Sequence, residues 1–416
     1  MSTSSGPLIQ GNEAKKPSTM NVTIMVRMTV AACLVFWIFV FADSGWGPIL
    51  VPLSNQLQVS LTFSGLFYVV WSTGYLPGAL IGGAMLDLYG PQRVLFWASL
   101  IVLFGFFSIY VGLLVPHVAP VIALLAVAGL GGVGGGVIDA STNGLISAIY
   151  TGRRGMALNL FNLLYPLGGV LVALTNAGLL KLFHNDPRPC FLFTMCFTVV
   201  AMISLLGIPA KYRIGDKSSI PRKSGTEESL SLVTILAPVI IVMMLTSGIS
   251  SSVRAWTPAY LHVAYAQTPA IAAALSSITW ILAACSRLGA AFLILRIGSW
   301  RLVMLGIGIT LLGLVTIILS PNAVIATLAI ALTSIGLSPI FATCLAIGSE
   351  RAGRSFGSVA GILLFVSGIS TVFSGWFFGF LLNMVGPSWP ILYCFTFVSL
   401  GGLMALRLRP AHRKCL

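Results

Sequence analysis

The sequence predicts an all-α membrane protein in which twelve transmembrane helices form two six-helix halves. Hydrophobic residues make up 57% of the 416-residue chain and charged residues only 8%, whereas a soluble domain carries about 25% charge. Apolar runs long enough to cross a bilayer as a helix, about 18 residues or more, recur along almost the whole chain. A long polar stretch near the middle separates two sets of six such runs. A water-soluble fold is excluded, because so few charged residues cannot form its exterior.

Charges, prolines and polar clusters separate the twelve spans. The spans lie near residues 27–50, 61–86, 93–114, 120–149, 155–181, 189–208, 231–261, 269–294, 301–319, 323–348, 355–385 and 388–407. The longest internal polar stretch, 209–230, is interpreted as a linker between an N-terminal half, 27–208, and a C-terminal half, 231–407. Residues 1–26 and 408–416 are then the two tails.

Basic residues outnumber acidic ones by 23 to 9, and their distribution indicates the orientation of the chain. With the N-terminus inside, nineteen of the Lys and Arg residues fall in the inner segments and only Lys181 and Arg188 in the outer loops. This bias predicts a multi-pass protein of the cell (inner or plasma) membrane, with both tails and the linker in the cytoplasm. The basic clusters lack interleaved aromatic residues on a polar face, so binding of nucleic acid is not expected.

Three glycines, Gly129, Gly131 and Gly134, have the G-x-G-x-x-G spacing of a dinucleotide-binding loop. That loop follows a strand, whereas these glycines lie within a predicted span, where small residues allow helices to pack closely. The seven cysteines show no CxxC spacing, and the four histidines do not cluster. We therefore expect no cofactor, no metal site and no enzymatic activity.

The segment between spans two and three, GGAMLDLYGPQR, combines glycines with a carboxylate and an arginine. The Asp87 carboxylate is placed to pair with arginines and with the positive N-terminal end of span eleven, near Ser355. Such contacts would hold the two halves together on the cytoplasmic side. The residues assigned to this cytoplasmic latch are Gly83, Asp87, Gly90, Arg93, Arg287 and Arg354.

Asp43 and Asp139 are the only acids within the predicted spans, and a carboxylate there is costly. Counted along the helix at a rise of about 1.5 Å per residue, both acids lie near the middle of the membrane. Asn143 follows Asp139 by four residues and so projects from the same helical face. Apolar surroundings favour the neutral carboxyl, which suits binding and release of a proton. The alternative is a structural role, in pairs with Arg254 or in hydrogen bonds to serines and asparagines.

Span five carries a polar edge in the segment ALNLFNLLYPLGG. Asn159, Asn162 and Tyr165 follow one another at three-residue steps, and Pro166 is expected to kink the helix. Amide and phenol groups can bind the hydroxyls of a sugar or, alternatively, form hydrogen bonds between helices. The tryptophans that could stack on a sugar ring are Trp46, Trp71, Trp256, Trp280 and Trp376.

Arg254 lies towards the outer end of span seven, below a polar edge formed by Ser247, Ser250 and Ser251. Three roles remain open for it at this point. Its guanidinium could pair with Asp43, bind an anionic substrate, or extend to the outer headgroups of the lipid.

Five stretches carry a resemblance to a known family. The GGAMLDLYGPQR segment resembles the G-x-x-x-D-x-x-G-x-[RK] signature of the major facilitator superfamily, with one extra residue before the arginine. Further similarity lies in Asp43 of span one, GVIDASTN of span four, ALNLFNLLYPLGG of span five and WTPAYL of span seven. Over essentially its whole length the chain resembles a transporter of this superfamily, and within it the fucose–galactose–glucose:proton symporter group.

The resemblance implies a major facilitator fold that works by alternating access, with protonation of acids in spans one and four coupled to sugar import. Carried over to this chain, these acids are Asp43 and Asp139. The chain departs from the group at Asn162, where histidine is common, and at Ser250, where an acid is often found. Arg254 is a third departure, since a neutral-sugar site does not require an arginine.

The sequence therefore predicts a proton-coupled importer of a small polyhydroxylated solute such as a sugar. Its partners would be that solute, protons and the lipid bilayer, and an oligomer is not required. Asp43 and Asp139 would bind the coupling proton. The residues expected to contact the solute are Asn143, Asn159, Asn162, Tyr165, Trp256 and Arg254.

Three alternatives fit the same architecture. A proton-driven exporter of apolar drugs would use the same two acids in a cavity with mostly aromatic and methionine walls. The polar edge on span five argues against such walls. An exchanger of organic anions would be centred on Arg254, and a receptor or scaffold of this architecture is the third possibility.

Overall fold

The computed structural model describes residues 22–59, 61–114, 121–207, 226–267, 269–352 and 356–409. All regular secondary structure in these ranges is helical. Most of the two predicted tails and of the linker lies outside the described residues, as does Arg354.

Fourteen α-helices follow one another along the described chain. They are α1 (Val22–Ser44), α2 (Trp46–Leu57), α3 (Leu61–Tyr89), α4 (Pro91–Leu114), α5 (Val121–Ile149), α6 (Arg154–Asn162), α7 (Leu164–Leu182), α8 (Arg188–Ser204), α9 (Thr226–Tyr265), α10 (Pro269–Ile297), α11 (Ser299–Ile318), α12 (Ala323–Ala352), α13 (Phe356–Met384) and α14 (Ser388–Ala405). Short 3₁₀ turns lie at Thr151–Arg153, Leu205–Gly207 and Leu406–Leu408. We call α1–α8 the N half and α9–α14 the C half.

Each of the twelve predicted spans coincides with one helix or with two consecutive helices. Eleven helical stretches in the described chain are long and apolar enough to cross a membrane. The sixth span, Arg188–Ser204, is apolar as well but has 17 residues. At about 1.5 Å per residue such a helix is still roughly 26 Å long, close to the thickness of the hydrocarbon core. The predicted all-α membrane fold is confirmed.

The first predicted span is interrupted at Gly45, between α1 and α2. The Asn176 side chain of α7 donates a hydrogen bond to the Gly45 carbonyl oxygen at 3.3 Å. A Cβ atom at Gly45 would lie 2.5 Å from the carbonyl oxygen of Phe41, so a larger residue does not fit without a backbone shift. The interruption places Asp43 in the last turn of α1.

The fifth predicted span is likewise two helices, which meet at Leu163. Pro166 has no N–H, so it cannot form the helical hydrogen bond to the carbonyl oxygen four residues earlier, at Asn162. The helix is interrupted three residues before the proline, and the kink expected from Pro166 stays a prediction. The missing N–H leaves the Asn162 carbonyl available to a donor from another helix.

The glycine-rich stretch of α5 lies inside a helix and packs directly against α3. A Cβ atom at Gly132 would lie 2.0 Å from the Trp71 carbonyl oxygen, and one at Gly136 would lie 2.2 Å from that of Tyr75. Backbone contact this close requires glycine. The crossing also sets Trp71 and Tyr75 beside α5, which carries Asp139.

The N half and the C half meet closely where α3 crosses α13. A Cβ atom at Gly83 would lie 2.0 Å from the carbonyl oxygen of Gly357, and one at Gly361 would lie 2.7 Å from that of Ala79. The two most deeply buried of the eleven spans, in α5 and α12, occupy matching positions in the two halves. The candidate functional site therefore lies near the contact between the halves.

Candidate functional site

Asp43 accepts hydrogen bonds from two aromatic side chains of other helices. The indole Nε1 of Trp71 donates to Oδ1 at 3.2 Å, and the phenolic hydroxyl of Tyr165 donates to Oδ2 at 2.8 Å. Trp71 is 1% exposed, so the hydrogen bond from its indole N–H to this carboxylate starts from a buried side chain. Both oxygen atoms of Asp43 are thus bound within the N half.

Asp139 is held in the same manner on α5. The Tyr75 hydroxyl donates to Oδ2 at 2.6 Å, and the amide of Asn143 donates to Oδ1 at 2.7 Å. Asp139 is 5% exposed and Asn143 is 1% exposed. The four-residue spacing predicts that Asp139 and Asn143 share one helical face, and in the structure they are in direct contact.

Each acid has one partner that only donates and one that can reverse its role. An indole N–H and an amide N–H are donors, whereas a phenolic hydroxyl both donates and accepts. When a proton binds to Oδ2 of either acid, the carboxyl can donate to its tyrosine, whose own hydrogen then turns to another acceptor. The two sites can therefore hold the charged and the neutral carboxyl without losing their hydrogen bonds.

A chain of hydrogen bonds leads from Asp139 across to the C half. The Asn162 amide donates to Oδ1 of Asn143 at 2.8 Å. The guanidinium of Arg287, on α10, donates in turn to the carbonyl oxygen of Asn162. This is the carbonyl that Pro166 leaves without a helical partner. A proline in the N half thus creates the acceptor for an arginine of the C half.

Arg287 is itself fixed by α12. Its Nε donates to the Ser338 carbonyl at 3.2 Å and to the Ser338 hydroxyl at 3.0 Å, and the residue is 8% exposed. The sequence assigns Arg287 to the latch around Asp87. The structure places its guanidinium on Asn162 instead, in the buried middle of the bundle.

Aromatic rings connect the two acids to each other and to the C half. The Phe39 ring lies between Tyr75, at 5.6 Å, and Tyr165, at 6.1 Å between ring centroids. Tyr165 also stacks on Trp280 of α10 at 6.3 Å, with an interplanar angle of 30°. The hydroxyl that binds Asp43 therefore belongs to a ring in contact with the opposite half.

Arg254 lies beside the same tryptophan. Its guanidinium carbon is 5.4 Å from the centre of a Trp280 ring, and its NH1 donates to the Ser250 hydroxyl at 2.6 Å. Arg254 is half-buried. A continuous path of contacts between the halves runs through Asp43, Tyr165, Trp280 and Arg254. We call these four residues, together with Asp139, the central site.

Two other residues expected to contact the solute take part in helix contacts. Asn159 is fully buried, and its amide donates to the carbonyl of Gly155 at 2.9 Å and to the hydroxyl of Thr343 at 3.3 Å. Trp256 stacks on Phe378 within the C half, at 6.3 Å between centroids. None of these contacts involves either of the two carboxylates.

The tryptophans considered for ring stacking lie in different environments. Trp46 is 1% exposed within an aromatic cluster that includes Phe67 and Phe106, and Trp376 is 64% exposed on the outside of the bundle. Trp71 and Trp280 contact residues of the central site. Trp46 packs against Trp71 at 6.2 Å between ring centroids but is itself buried. The outward orientation of Trp376 separates it from the central site.

At the end of α3, Asp87 binds the first turn of α13. Its carboxylate accepts from the backbone N–H of Gly357 at 3.1 Å, and from the N–H and the hydroxyl of Ser358 at 2.9 and 2.8 Å. Negative charge at a helix N-terminus is favourable, because the first N–H groups have no helical acceptor. Asp87 therefore joins the two halves at what we call the Asp87 end. Gly90 turns the chain there with φ of +83°, and Arg93 is exposed.

Sequence analysis did not single out Tyr75, which binds Asp139. A usable signal was present, because Trp71 and Tyr75 are four residues apart and so share one face of α3. Ser338 and Thr343 were missed as well, since isolated hydroxyl residues in an apolar helix are common and give no pattern.

The family model of the Major Facilitator Superfamily matches residues 32–375. The chain belongs to the major facilitator superfamily. It is accordingly a multi-pass membrane transporter, and the family is one of transporters rather than enzymes. No curated protein matches this sequence.

Solved structures share the fold of this superfamily member at low sequence identity. FucP, a superfamily transporter in the outward conformation, has a TM-score of 0.80 at 12% identity, over 93% of this chain and all of FucP. A variant of the fucose:proton symporter FucP of E. coli has a TM-score of 0.78 at 13% identity, over 92% and 98% of the two chains. The proton:xylose symporter XylE, bound to a bromodeoxyglucose, has a TM-score of 0.78 at 14% identity, over 94% and 97%.

Proposed function

We propose that this transporter is a proton-coupled importer of a small polyhydroxylated solute such as a sugar, with both termini in the cytoplasm. The observation that carries the proposal is the paired construction of Asp43 and Asp139. Each carboxylate is bound by one tyrosine hydroxyl and one N–H donor, next to the contact between the halves. The similarity of the fold to FucP, a fucose:proton symporter, and to XylE, a proton:xylose symporter, supports the same class.

Protonation would couple to the solute through the two tyrosine hydroxyls. A neutral Asp43 can donate to Tyr165, and the phenolic hydrogen of Tyr165 then turns towards an acceptor such as a solute hydroxyl. Tyr75 can respond to Asp139 in the same way. The solute and the proton then favour each other's binding, which is the linkage that symport requires.

Alternating access would require the contacts between the halves to break and form again. At the Asp87 end these are the hydrogen bonds from Asp87 to α13, and deeper in the bundle the bond from Arg287 to Asn162. Few such contacts suffice, because the two states need to differ by only a few kcal/mol for ligands to shift their populations.

The direct test is solute-driven proton movement into vesicles that contain the reconstituted full-length protein and an enclosed pH-sensitive dye. The panel consists of neutral sugars, sugar acids, other organic anions and cationic drugs, with empty vesicles as the blank. We expect a sugar or sugar acid to acidify the interior. The variants Asp43→Asn and Asp139→Asn should abolish or reduce that acidification.

The matched control is Asp186→Asn, which makes the same change at a surface acid paired with Arg188. Vesicles that contain this variant should acidify like vesicles that contain the unaltered protein. Uptake of a solute with no proton movement, or full proton movement in the double variant Asp43→Asn/Asp139→Asn, would rule out this mechanism. Proton movement with drugs alone would identify the exporter instead.

A further inference from the structure

Two buried polar groups beside the break between α1 and α2 have no hydrogen-bond partner in the described part of the chain. They are the indole N–H of Trp46 and the amide oxygen of Asn176. Trp46 is 1% exposed and Asn176 is 2% exposed, so neither group reaches the surface of the protein. Buried polar groups are nearly always hydrogen-bonded, because an unpaired one loses its hydration without compensation. A partner other than the described residues is therefore expected for both groups.

The two groups are complementary, one a donor and the other an acceptor. Nδ2 of Asn176 already donates to the Gly45 carbonyl oxygen at 3.3 Å, which leaves Oδ1 of the same amide as an acceptor. Trp46 is the first residue of α2, and an indole N–H can only donate. A single small molecule that both accepts and donates could therefore satisfy both side chains.

Trp46 and Asn176 line one small cavity within the N half. The remaining wall comes from Gly45 and from residues of α1, α2, α4 and α8, and all of the lining residues are buried. The centre of a water-sized sphere has about 10 Å³ of space in this cavity. One water molecule needs about that much, and a larger solute does not fit.

Thr194 of α8 supplies a third polar group in the wall of the cavity. Its hydroxyl donates to the carbonyl oxygen of Cys190 at 3.2 Å, and the hydroxyl oxygen keeps lone pairs that can accept. A molecule that accepts from Trp46 can thus donate to Asn176 and Thr194. Three hydrogen bonds are typical of a buried water molecule. A cation does not match this set, because the indole presents the positive end of its N–H dipole.

We infer that one water molecule is bound in this cavity, where it accepts from the indole N–H of Trp46 and donates to the side-chain oxygen atoms of Asn176 and Thr194. The water joins the first residue of α2 to α7 and α8. It thereby stabilises the break at Gly45, which places Asp43 in the last turn of α1. The site does not depend on which solute the protein transports.

The direct test is a high-resolution crystal or electron-microscopy structure of the full-length protein. We expect a density peak within about 3.2 Å of Nε1 of Trp46, Oδ1 of Asn176 and Oγ1 of Thr194. An empty cavity, in a map that resolves other buried water molecules, would overturn the inference.

Variants test the same site through melting curves in detergent. Trp46→Phe removes the donor, and Thr194→Val removes one acceptor at nearly constant shape. If both groups bind one water, the double variant should lose less melting temperature than the sum of the two single losses, because either deletion already weakens the site. Losses that add would show that the two side chains share no water. If Trp46→Phe does not fold, the density in the unaltered protein decides.

The matched control is Thr198→Val, one turn further along α8. Thr198 is fully buried, its hydroxyl donates to the carbonyl four residues earlier at 2.8 Å, and it does not line the cavity. Its loss of melting temperature should add to that of Trp46→Phe. A loss that is instead as far from additive as that of Thr194→Val would show that the effect does not arise in the cavity.

Melting curves in sodium chloride and in choline chloride test for an ion in place of the water. The two salts should give equal melting temperatures, because the site binds a neutral molecule. A higher melting temperature in sodium chloride that Thr194→Val abolishes would assign the cavity to a cation and overturn the inference.

Discussion

The guanidinium of Arg287 donates to the carbonyl oxygen of Asn162, which lacks its helical donor. Pro166 cannot supply the N–H that would bind the Asn162 carbonyl in a continuous helix, and Arg287 of the opposite half donates to it. The side chain of the same asparagine continues through Asn143 to Asp139. One residue thus joins a proposed proton site to a contact between the halves.

Pro166→Ala should weaken this contact. Alanine restores the N–H, which then competes with Arg287 for the Asn162 carbonyl, so the state with the Asp87 end open should gain population. Electron-spin distance measurements between labels at exposed positions 153 and 296, one in each half, should show an added longer component. Pro91→Ala is the control, because a proline at the first position of a helix replaces no helical hydrogen bond. An unchanged distance distribution in Pro166→Ala would contradict the prediction.

Asp87→Asn should also favour the open state. Asparagine can retain a hydrogen bond to the first turn of α13 but lacks the negative charge, which typically contributes about 0.3–1 kcal/mol at a helix N-terminus. The same pair of labels should report a shift of population. Ser358→Ala removes only one of the three hydrogen bonds to Asp87 and should produce a smaller shift. Equal distances in Asp87→Asn and the unaltered protein would show that this charge does not stabilise the closed end.

Gly83→Ala should lower the thermal stability of the protein. The added Cβ would lie 2.0 Å from the carbonyl oxygen of Gly357, so α3 and α13 have to move apart. Overpacking of this kind costs about 1–3 kcal/mol, which a melting curve in detergent detects. Gly152→Ala provides the control, because a Cβ at Gly152 has no neighbouring atom within 4 Å. If both variants melt alike, the two halves do not depend on this close approach.

Tyr165→Phe should separate solute binding from proton coupling. The variant keeps the ring that stacks on Trp280 and loses the hydroxyl that binds Asp43. We expect a larger loss of solute-driven acidification than of solute binding. Tyr89→Phe, at an exposed position, should change neither. Parallel losses of both properties in Tyr165→Phe would assign the hydroxyl to the solute alone.

Much of the fold could be predicted because its determinants act locally. Burial of apolar surface and the cost of charge in lipid act on each stretch of chain separately, so the twelve spans follow from the sequence. The interruption of the fifth span near Pro166 agrees with one missing N–H. For the same reason Asp43 and Asp139 could be singled out without any knowledge of their neighbours.

The sequence by itself thus determined the membrane class, the spans and the two acids of interest. Only the tertiary structure decided which groups these acids meet, because the rotation and crossing of each helix depend on contacts between distant segments. Glycines of α5 bring α3 close enough for Tyr75 to reach Asp139, although 64 residues separate them. Arg287, expected near Asp87, instead binds Ser338 and Asn162, which are 51 and 125 residues away in the chain.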